Sequence, residues 1–352
     1  MHEALERLRR DGDRVFGSRR IHVVPASFEA REWSEVARAN VTTPTGVRHV
    51  YVKVYKPRAD GAAALEQARE GLRRDFEVTS RVFEAFKGLP DLRVVEPLAC
   101  YDDLLGVVTR EAPGQPLEGV IAKHAAWPAG PERLAALETA LSRVGRWIAT
   151  FQHRAPGAEP SPMDLGEIRE YIDARLRKLT ALPRASFSEG DRQSVLGYFD
   201  RRAREIPGSE LIDVPVHGDI TPSNIMATAD GVTVLDFGMT ARGSKYLDIA
   251  RLYSQLEFYT AKPQYRPQVM ARLQHAALSG FDPALRADNP LFEICVVQHV
   301  VCHLLSHSRR PGPFPASVYS GHQCRRHRRW LRDRARNAVV RPAPQIAVDS
   351  LR

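Results

Sequence analysis

The sequence predicts an α+β protein in which a small sheet-rich N-terminal part precedes a larger, mainly helical part. Residues 20–56 hold three β-branched, apolar runs separated by turn residues, whereas amphipathic helical patterns dominate from Pro131 onward. With 352 residues and 43% hydrophobic content, the chain can bury a substantial core, and 26% charged residues is ordinary for a globular protein. Composition therefore excludes wholesale disorder.

The N-terminal elements follow one another with clear turn signals. RIHVVPA, WSEVARANV and VRHVYVKVY are predicted strands, residues 62–87 have a helical period, and RVVEPLACY and LLGVVTREA are two further strands. Pro113 and Gly114 close this region. We therefore expect a sheet-rich N-terminal lobe over residues 1–110 and a helical C-terminal lobe over residues 111–352.

Three features place the chain in the reducing cytoplasm. The first 20 residues have no apolar core of a secretory signal, and the four cysteines lack the spacing of a disulfide framework. The longest apolar stretch, Ile294 to Leu305, is interrupted by Gln298, His299 and His303. It is too short and too polar to cross a bilayer.

Positive charge is concentrated near the C-terminus. The chain carries 51 basic and 42 acidic residues, and from Leu291 to Arg352 there are 11 arginines against three acids. The run HQCRRHRRWLRDRAR is typical of a solvated helix face. Docking to an anionic acceptor or to a membrane surface is the second interpretation, and nucleic-acid binding ranks last.

The segment VPVHGDITPSNIMATADGVTVLDFGM contains the residues most suited to catalysis and metal binding. A two-residue turn at Asp230-Gly231 would form a hairpin that places Asp236 opposite Ile225, next to Asn224. An amide oxygen and a carboxylate brought together suit Mg²⁺. Asp219, on the loop leading to the same end of the hairpin, can orient an attacking hydroxyl or accept its proton.

This segment resembles the aminoglycoside phosphotransferase and choline-kinase-like family, whose catalytic loop has the pattern H-G-D-x-x-x-x-N followed by D-F-G. The resemblance implies a bilobal protein-kinase-like fold, with a small antiparallel-sheet N-lobe and a large mainly helical C-lobe. It further implies that Asp219 is catalytic, that Asn224 and Asp236 are metal ligands, and that His217 stabilises the loop. Asp248, in YLDIARL, would brace the loop; an ordinary acid at a helix N-terminus is the alternative.

The same resemblance requires a lysine for the nucleotide phosphates, and V-Y-V-K-V-Y supplies Lys53. Strand alternation puts Lys53 on one face with Tyr51 and Tyr55, opposite the valines. A helix acid normally holds this lysine. Helical spacing places Asp75 at that position, one methylene shorter than the usual glutamate, with Glu77 as the alternative.

Two further expectations concern the nucleotide. No G-x-G-x-x-G loop separates the first two strands, a glycine loop that small-molecule kinases of this family often lack. By resemblance, the adenine edge of ATP should bond the backbone of the connector at Glu111 and Ala112.

One other cluster could suggest zinc. Cys295, His299, Cys302 and His303 share one helical segment, but the valines and isoleucine between them favour a buried helix.

The sequence thus predicts an ATP- and Mg²⁺-dependent phosphotransferase acting on a hydroxyl of a small molecule. The basic C-terminal region ranks a sugar, polyol, amino alcohol, or lipid- or phosphate-bearing acceptor above a polycationic aminoglycoside. A pseudokinase that binds nucleotide without turnover is the alternative, and a basic membrane- or nucleic-acid-binding protein is the third hypothesis.

Overall fold

The protein is described here by a computed structural model that covers residues 1–309 and 316–336. The helices are α1 His2–Arg10, α2 Gly12–Phe16, α3 Ala62–Phe86, α4 Leu117–His124, α5 Pro131–Arg154, α6 Leu165–Thr180, α7 Glu189–Ala203, α8 Leu247–Tyr259, α9 Pro267–Phe281, α10 Pro290–Arg309 and α11 Ala316–Arg336. The strands are β1 His22–Ala30, β2 Ser34–Thr43, β3 Gly46–Tyr55, β4 Leu92–Val94, β5 Pro97–Tyr101, β6 Gly106–Arg110, β7 Gln115–Pro116, β8 Ser161–Pro162, β9 Ile212–Val216, β10 Ile225–Ala227, β11 Val232–Val234 and β12 Ala241–Ser244.

The chain forms two compact units, and each unit collects three separate segments. The first contains Met1–Val120, Thr150–Ala158 and His217–Ala241. The second contains Ile121–Ala149, Glu159–Val216 and Arg242–Arg352. The HGD and DFG segments therefore belong to the same compact unit as the N-terminal strands. The expected domain boundary at residue 110 stays a prediction.

The first unit is built on a five-stranded antiparallel sheet in the order β1-β2-β3-β6-β5. Its core packs Leu5 and Leu8 of α1 with Val50 and Val52 of β3 and Val108 of β6, and all five are nearly inaccessible to solvent. Alternation along β3 explains this, because every second residue points into the core. The predicted antiparallel N-terminal sheet is confirmed.

A second, four-stranded sheet in the first unit has the order β4-β11-β10-β7. Strands β10 and β11 form an antiparallel hairpin, and β4 pairs with β11 in parallel. Gly114, just before β7, has a φ of 102°, and a Cβ there would overlap the carbonyl oxygen of Ala227. Only glycine accommodates both the backbone conformation and this close approach.

The second unit is mainly helical, with α10 at its centre. Residues such as Leu291, Phe292, Ile294 and Val301 are fully buried, and α10 contacts α6, α7, α8 and α11. Within the described residues, α10 is the one helix long and apolar enough to be considered as a membrane span. Since 67% of its apolar window is buried, it has the character of a core helix.

Helix α11 contains the arginine-rich run and buries one face. Ser320, Gln323, His327 and Leu331 are almost inaccessible, at the spacing expected for a helix packed on a core. Arginines on its flanks form ion pairs inside the unit: Arg326 with Glu257, Arg332 with Asp191, and Arg334 with Glu293. The run is therefore more than a solvated face. The final segment RPAPQIAVDSLR lies outside the described residues.

The cysteines and histidines of α10 lie in separate environments. Cys295 is fully buried, the Nε2 of His299 lies 2.9 Å from the carbonyl oxygen of Leu247, and Cys302 is near the hydroxyl of Tyr171. All four cysteines are free thiols. No group of three or more His, Cys, Asp or Glu side chains in residues 1–309 and 316–336 is arranged to hold a metal ion. The geometry agrees with the buried-helix interpretation.

Candidate functional site

Gly218 determines the path of the HGD loop. Its φ is 77°, and a Cβ at this position would overlap the carbonyl oxygen of Met239, just after the DFG triplet. Any other residue would be strained by the backbone conformation and would push the two segments apart. Glycine at the centre of His217-Gly218-Asp219 is thus required by the contact between the HGD and DFG segments.

His217 is a buried support for the same loop. Its Nδ1 accepts the backbone N–H of Asp219 at 3.2 Å, and its Nε2 lies 3.1 Å from the carbonyl oxygen of Leu235, to which it donates. These partners define a neutral imidazole with the proton on Nε2. The ring also makes an edge contact with Phe237, with centroids 4.7 Å apart. His217 therefore connects the backbone of Asp219 to the segment that carries Asp236.

Asn224 orients Asp219 directly. Its Nδ2 donates to the carbonyl oxygen of Asp219 at 3.0 Å and to the carboxylate Oδ2 at 2.8 Å. Both amide hydrogens are used on Asp219, which leaves the side-chain oxygen of Asn224 as the atom suited to a hard cation. The five-residue spacing in the sequence thus places the side chain of Asn224 in direct contact with Asp219.

Asp236 occupies an unusual backbone position. Its φ is 65°, in the left-handed region that non-glycine residues seldom adopt, although aspartate is among those that tolerate it. Its Oδ2 accepts a hydrogen bond from the Nζ of Lys53 at 3.0 Å, with the two side chains 37% and 21% exposed. A strained, accessible carboxylate beside a lysine is characteristic of a functional position.

The hairpin before Asp236 differs from its predicted register. Ile225 faces Val234 and Ala227 faces Val232, so Asp236 does not lie opposite Ile225. The turn is centred one residue earlier than expected, and within it the hydroxyl of Thr228 accepts the N–H of Gly231. Gly231 instead lies against the backbone of Asp91, where a Cβ would be 2.8 Å from the carbonyl oxygen. Asn224 and Asp236 still lie at the same open end, since Leu235 N–H donates to the carbonyl of Asn224 at 2.9 Å.

Lys53 lies on the predicted face of β3. Val50 and Val52 are fully buried on the opposite face, whereas Lys53 and Tyr55 are partly accessible. The ammonium nitrogen of Lys53 lies 4.5 Å from the centre of the Tyr55 ring. Lys53 is therefore held between an aromatic face and the carboxylate of Asp236.

The expected ion pair between Lys53 and Asp75 is absent from the described residues, because Lys53 pairs with Asp236 instead. Asp75 lies on the buried face of α3, only 8% exposed, and its Oδ2 accepts the hydroxyl of Tyr55 at 2.6 Å. Burial raises the pKa of the Asp75 carboxyl above its ordinary value, although the bond from Tyr55 opposes this. Glu77 points to the exposed side of the helix and pairs with Arg81.

The connector after β6 is held by an ion pair. Glu111 accepts the guanidinium of Arg38 through both carboxylate oxygens, at 2.7 and 2.9 Å. The hydrogen bond from Arg38 lowers the pKa of Glu111 below its usual range. The N–H of Glu111 donates to the carbonyl of His49 at 2.9 Å, so a base at this edge would need other backbone atoms, such as those of Ala112.

The ligand chemistry of the first unit fits Mg²⁺. Asn224 and Asp236 supply an amide oxygen and a carboxylate at one end of the hairpin, while water and phosphate oxygens usually complete the shell of this ion. The Nδ2 of Asn224 is committed to Asp219, which orients the amide. These two oxygen donors are of the kind that Mg²⁺ prefers.

Comparison with known proteins agrees with this geometry. A family model described as "Phosphotransferase enzyme family" (APH) matches residues 34–287. The chain belongs to this phosphotransferase family. Comparison with curated protein sequences finds no significant match.

Solved structures resemble the chain over nearly its whole length. A proposed aminoglycoside phosphotransferase from Ralstonia eutropha is 16% identical, with 95% of this chain and 98% of that one covered and a TM-score of 0.61. Choline kinase from Cryptosporidium parvum is 10% identical, with coverage of 94% and 95% and a TM-score of 0.55. A variant of aminoglycoside phosphotransferase APH(4)-Ia, in ternary complex with ADP and hygromycin B, is 15% identical, with coverage of 89% and 95% and a TM-score of 0.55. At these identities the likeness shows the fold, and the predicted protein-kinase-like α+β fold is confirmed.

Within this phosphotransferase family fold, one expected supporting residue belongs to the other compact unit. Asp248 is the second residue of α8 and is 1% exposed. An acid in the first turn of a helix is favourable on electrostatic grounds alone. Both interpretations of Asp248, brace of the catalytic loop and helix N-terminal acid, stay open.

Sequence reasoning did not assign Tyr55 a role. The structure places its hydroxyl on Asp75 and its ring under the ammonium of Lys53. The signal was present, because alternation along β3 puts Tyr55 on the face of Lys53, two residues away.

Proposed function

We propose that this phosphotransferase uses Mg·ATP to phosphorylate a hydroxyl group of a small molecule. The observation that carries the proposal is the convergence, in one compact unit, of an aspartate clamped by Asn224 with a lysine paired to Asp236. In this proposal, residues 1–110 would bind the nucleotide and residues 111–352 would bind the acceptor.

Each residue would have a separate task in the transfer. Lys53 would hold phosphate oxygens of the nucleotide, while Asn224 and Asp236 would hold Mg²⁺, which neutralises charge on the phosphates when bound. Asp219, oriented by the amide of Asn224, would accept a hydrogen bond from the acceptor hydroxyl and align its oxygen with the γ-phosphorus. Catalysis would come mainly from positioning and charge neutralisation.

The adenine base would lie at the connector that follows β6. Since the N–H of Glu111 is used by His49, the backbone of Ala112 becomes the more suitable donor for the base. The bidentate ion pair with Arg38 would hold Glu111, and with it the connector, in place.

The acceptor is proposed from charge. A sugar, polyol, amino alcohol, or lipid- or phosphate-bearing molecule ranks above a polycationic aminoglycoside, because α11 is rich in arginine. Its internal ion pairs reduce the free positive charge, and Arg325 and Arg329 are exposed. These exposed arginines are also the basis for a contact with an anionic or membrane surface. Free thiols at all four cysteines support a cytoplasmic location.

The proposal is tested by Mg·ATP consumption against pooled aminoglycosides, amino alcohols, sugars, polyols and lipid headgroups. Asp219→Asn is compared with Asp230→Asn, the same change at an exposed acid of the neighbouring hairpin turn. Turnover with one pool, lost in Asp219→Asn and kept in Asp230→Asn, would support the kinase and name its acceptor class. A micromolar Michaelis constant for kanamycin would overturn the acceptor ranking.

A pseudokinase is the second candidate, and two observations favour it. Within residues 1–309 and 316–336, Lys53 has no direct bond to a helix acid, and the turn between β1 and β2 has no glycine. Metal-dependent ATP binding with no transfer to any pool, and no effect of Asp219→Asn on binding, would favour this candidate over the kinase.

A further inference from the structure

Tyr55 contacts two side chains, Asp75 and Lys53, that form no direct ion pair with each other. Its hydroxyl donates to the Oδ2 of Asp75 at 2.6 Å, and its ring centre lies 4.5 Å from the Nζ of Lys53. The backbone of Tyr55 is itself fixed, since its N–H donates to the carbonyl of Leu105 at 2.9 Å. A single aromatic side chain therefore contacts both the helix acid and the lysine.

Asp75 is itself held in place by neighbouring residues. The hydroxyl of Thr79, one turn further along α3, donates to the backbone carbonyl of Asp75 at 2.7 Å and lies 3.5 Å from its Oδ1. Gly238 of the DFG triplet packs on the other side, where a Cβ would lie 3.6 Å from the Asp75 carboxylate. Asp75 is thus a rigid, buried anchor rather than a solvated acid.

The size of the side chains explains the arrangement. An aspartate is shorter than a glutamate by one methylene, about 1.5 Å of reach. The hydroxyl of Tyr55, rather than the ammonium group of Lys53, donates to the Asp75 carboxylate. Burial and the neighbouring Asp75 raise the pKa of Tyr55 far above its ordinary value, so the hydroxyl keeps its proton and acts as the donor.

We propose that Tyr55 is a positioning residue that transmits the anchorage of Asp75 to Lys53, in place of a direct ion pair between lysine and helix acid. The inference rests on the proposed function, in which Lys53 holds nucleotide phosphates. The hydroxyl fixes the ring against α3, and the ring face stabilises the ammonium group by a cation–π interaction. Lys53 can then exchange its partner Asp236 for a phosphate without losing its position.

Accessibility of Lys53 provides a readout that needs no turnover. An amine-reactive ester is applied to the nucleotide-free protein, and labelling of Lys53 is measured by peptide mass spectrometry relative to Lys56. Lys56 is a matched internal reference, since it follows on the same chain segment and pairs with Glu35 at 3.3 Å. The ratio of the two labels cancels differences in reagent and protein concentration.

Four variants separate positioning from folding. Tyr55→Phe removes only the hydroxyl, and Tyr55→Phe with Asp75→Glu supplies an acid long enough to reach Lys53. Tyr55→Phe with Asp75→Asn removes the buried carboxylate that would otherwise lose its hydrogen-bond donor, and it restores no contact with Lys53. Tyr101→Phe is the control, because Tyr101 is a buried tyrosine of the same sheet whose hydroxyl interacts with Arg14 and Asp11 rather than with Asp75.

We expect Tyr55→Phe to raise the Lys53 labelling ratio about threefold and to lower kcat/KM for ATP about tenfold. The pair with Asp75→Glu should recover both values, the pair with Asp75→Asn should recover only thermal stability, and Tyr101→Phe should change neither. An unchanged labelling ratio in Tyr55→Phe, or recovery by Asp75→Asn as complete as by Asp75→Glu, would overturn the positioning role. Absence of ATP turnover in the wild type would instead reject the proposed function, while the labelling ratios would still decide the role of Tyr55.

Discussion

Two groups of titratable side chains, one in each compact unit, differ in exposure to solvent and in the contacts that hold them. In the first unit, Lys53 and Asp236 are partly exposed and form an ion pair, and the backbone of Asp236 has a strained, left-handed conformation. In the second unit, His303, His307 and His327 surround one another, and His303 stacks on Phe258 with ring centres 4.0 Å apart. Both groups could have been taken for sites from residue type alone.

Hydrogen bonding separates the two groups. The Nδ1 of His303 lies 2.6 Å from the Nε2 of His327, its Nε2 lies 3.1 Å from the Nε2 of His307, and the Nδ1 of His307 lies 3.1 Å from the hydroxyl of Ser320. Three neutral imidazoles, each with one N–H, satisfy this chain of contacts completely. Burial lowers the pKa of His303 to about 2 and that of His327 to about 3.

The contrast indicates what makes a cluster functional in this protein. The histidines satisfy one another and have little capacity left for a ligand, so they stabilise the packing of α10 on α11. The Lys53–Asp236 pair is accessible, and each partner has further capacity for phosphate or metal. Three predictions test this distinction, from the largest expected effect to the smallest.

Asp236→Asn should reduce kcat about a thousandfold, because in the proposed function it would remove a metal-binding charge from the site of phosphoryl transfer. Asparagine tolerates positive φ as aspartate does, so the backbone should be retained. The ion pair with Lys53 is partly exposed and screened by solvent, so the free energy of unfolding should change by less than about 1 kcal/mol. Steady-state kinetics with the acceptor identified by the panel and urea unfolding measure the two quantities.

His327→Gln provides the comparison for Asp236→Asn. It should lower the melting temperature while leaving kcat within about twofold, since the histidine cluster is assigned to packing alone. If His327→Gln impaired turnover as strongly as Asp236→Asn at equal folded fraction, the distinction between the two groups would be wrong.

Acid should destabilise the protein through its buried histidines. Burial lowers the pKa of His299 to about 4, and those of His303 and His327 lie lower still, with Arg251 and Arg326 adding to the effect. Below the ordinary pKa of about 6.5, the unfolded chain binds more protons than the folded one. The free energy of unfolding should then fall as pH drops from 6.5 towards 4, by up to about 1.4 kcal/mol per pH unit for each histidine.

Urea unfolding at pH 7.5, 6.5 and 5.5 measures this slope. His327→Gln should make the slope shallower, whereas replacement of the exposed His22 by Gln should leave it unchanged. A stability that is flat between pH 7.5 and 5.5 would show that the cluster accepts protons without loss of packing.

The sequence supports accurate prediction where one local rule dominates. Alternation placed Lys53 on the accessible face of β3, and the hairpin placed Asn224 and Asp236 at the same open end. The β10–β11 register was wrong because it depends on a tertiary contact, the close approach of Gly231 to Asp91. The partner of Lys53 was wrong for the same reason. It depends on the hydroxyl of Tyr55, which donates to the Asp75 carboxylate, and on Asp236, which pairs with Lys53.

The arginine-rich helix shows the same limit of local reasoning. Its composition predicted a solvated face, and Arg325 and Arg329 are indeed exposed. Arg334 instead reaches the buried carboxylate of Glu293, 8% exposed, which also accepts the hydroxyl of Tyr198 at 2.6 Å. A pattern of charges along one helix cannot reveal which acids of other helices will lie opposite.

The smallest expected effect distinguishes the two candidate helix acids. Glu77→Gln should leave the KM for ATP within about twofold and the free energy of unfolding within about 0.5 kcal/mol, since its exposed pair with Arg81 lies on the helix surface. Asp75→Asn should raise the KM several-fold, because it weakens the hydrogen bond that holds Tyr55 beneath Lys53. Steady-state kinetics over a range of ATP concentrations compares the two. A larger effect of Glu77→Gln would assign the anchoring of Lys53 to Glu77, which would require α3 to turn its exposed face towards the strand when nucleotide binds.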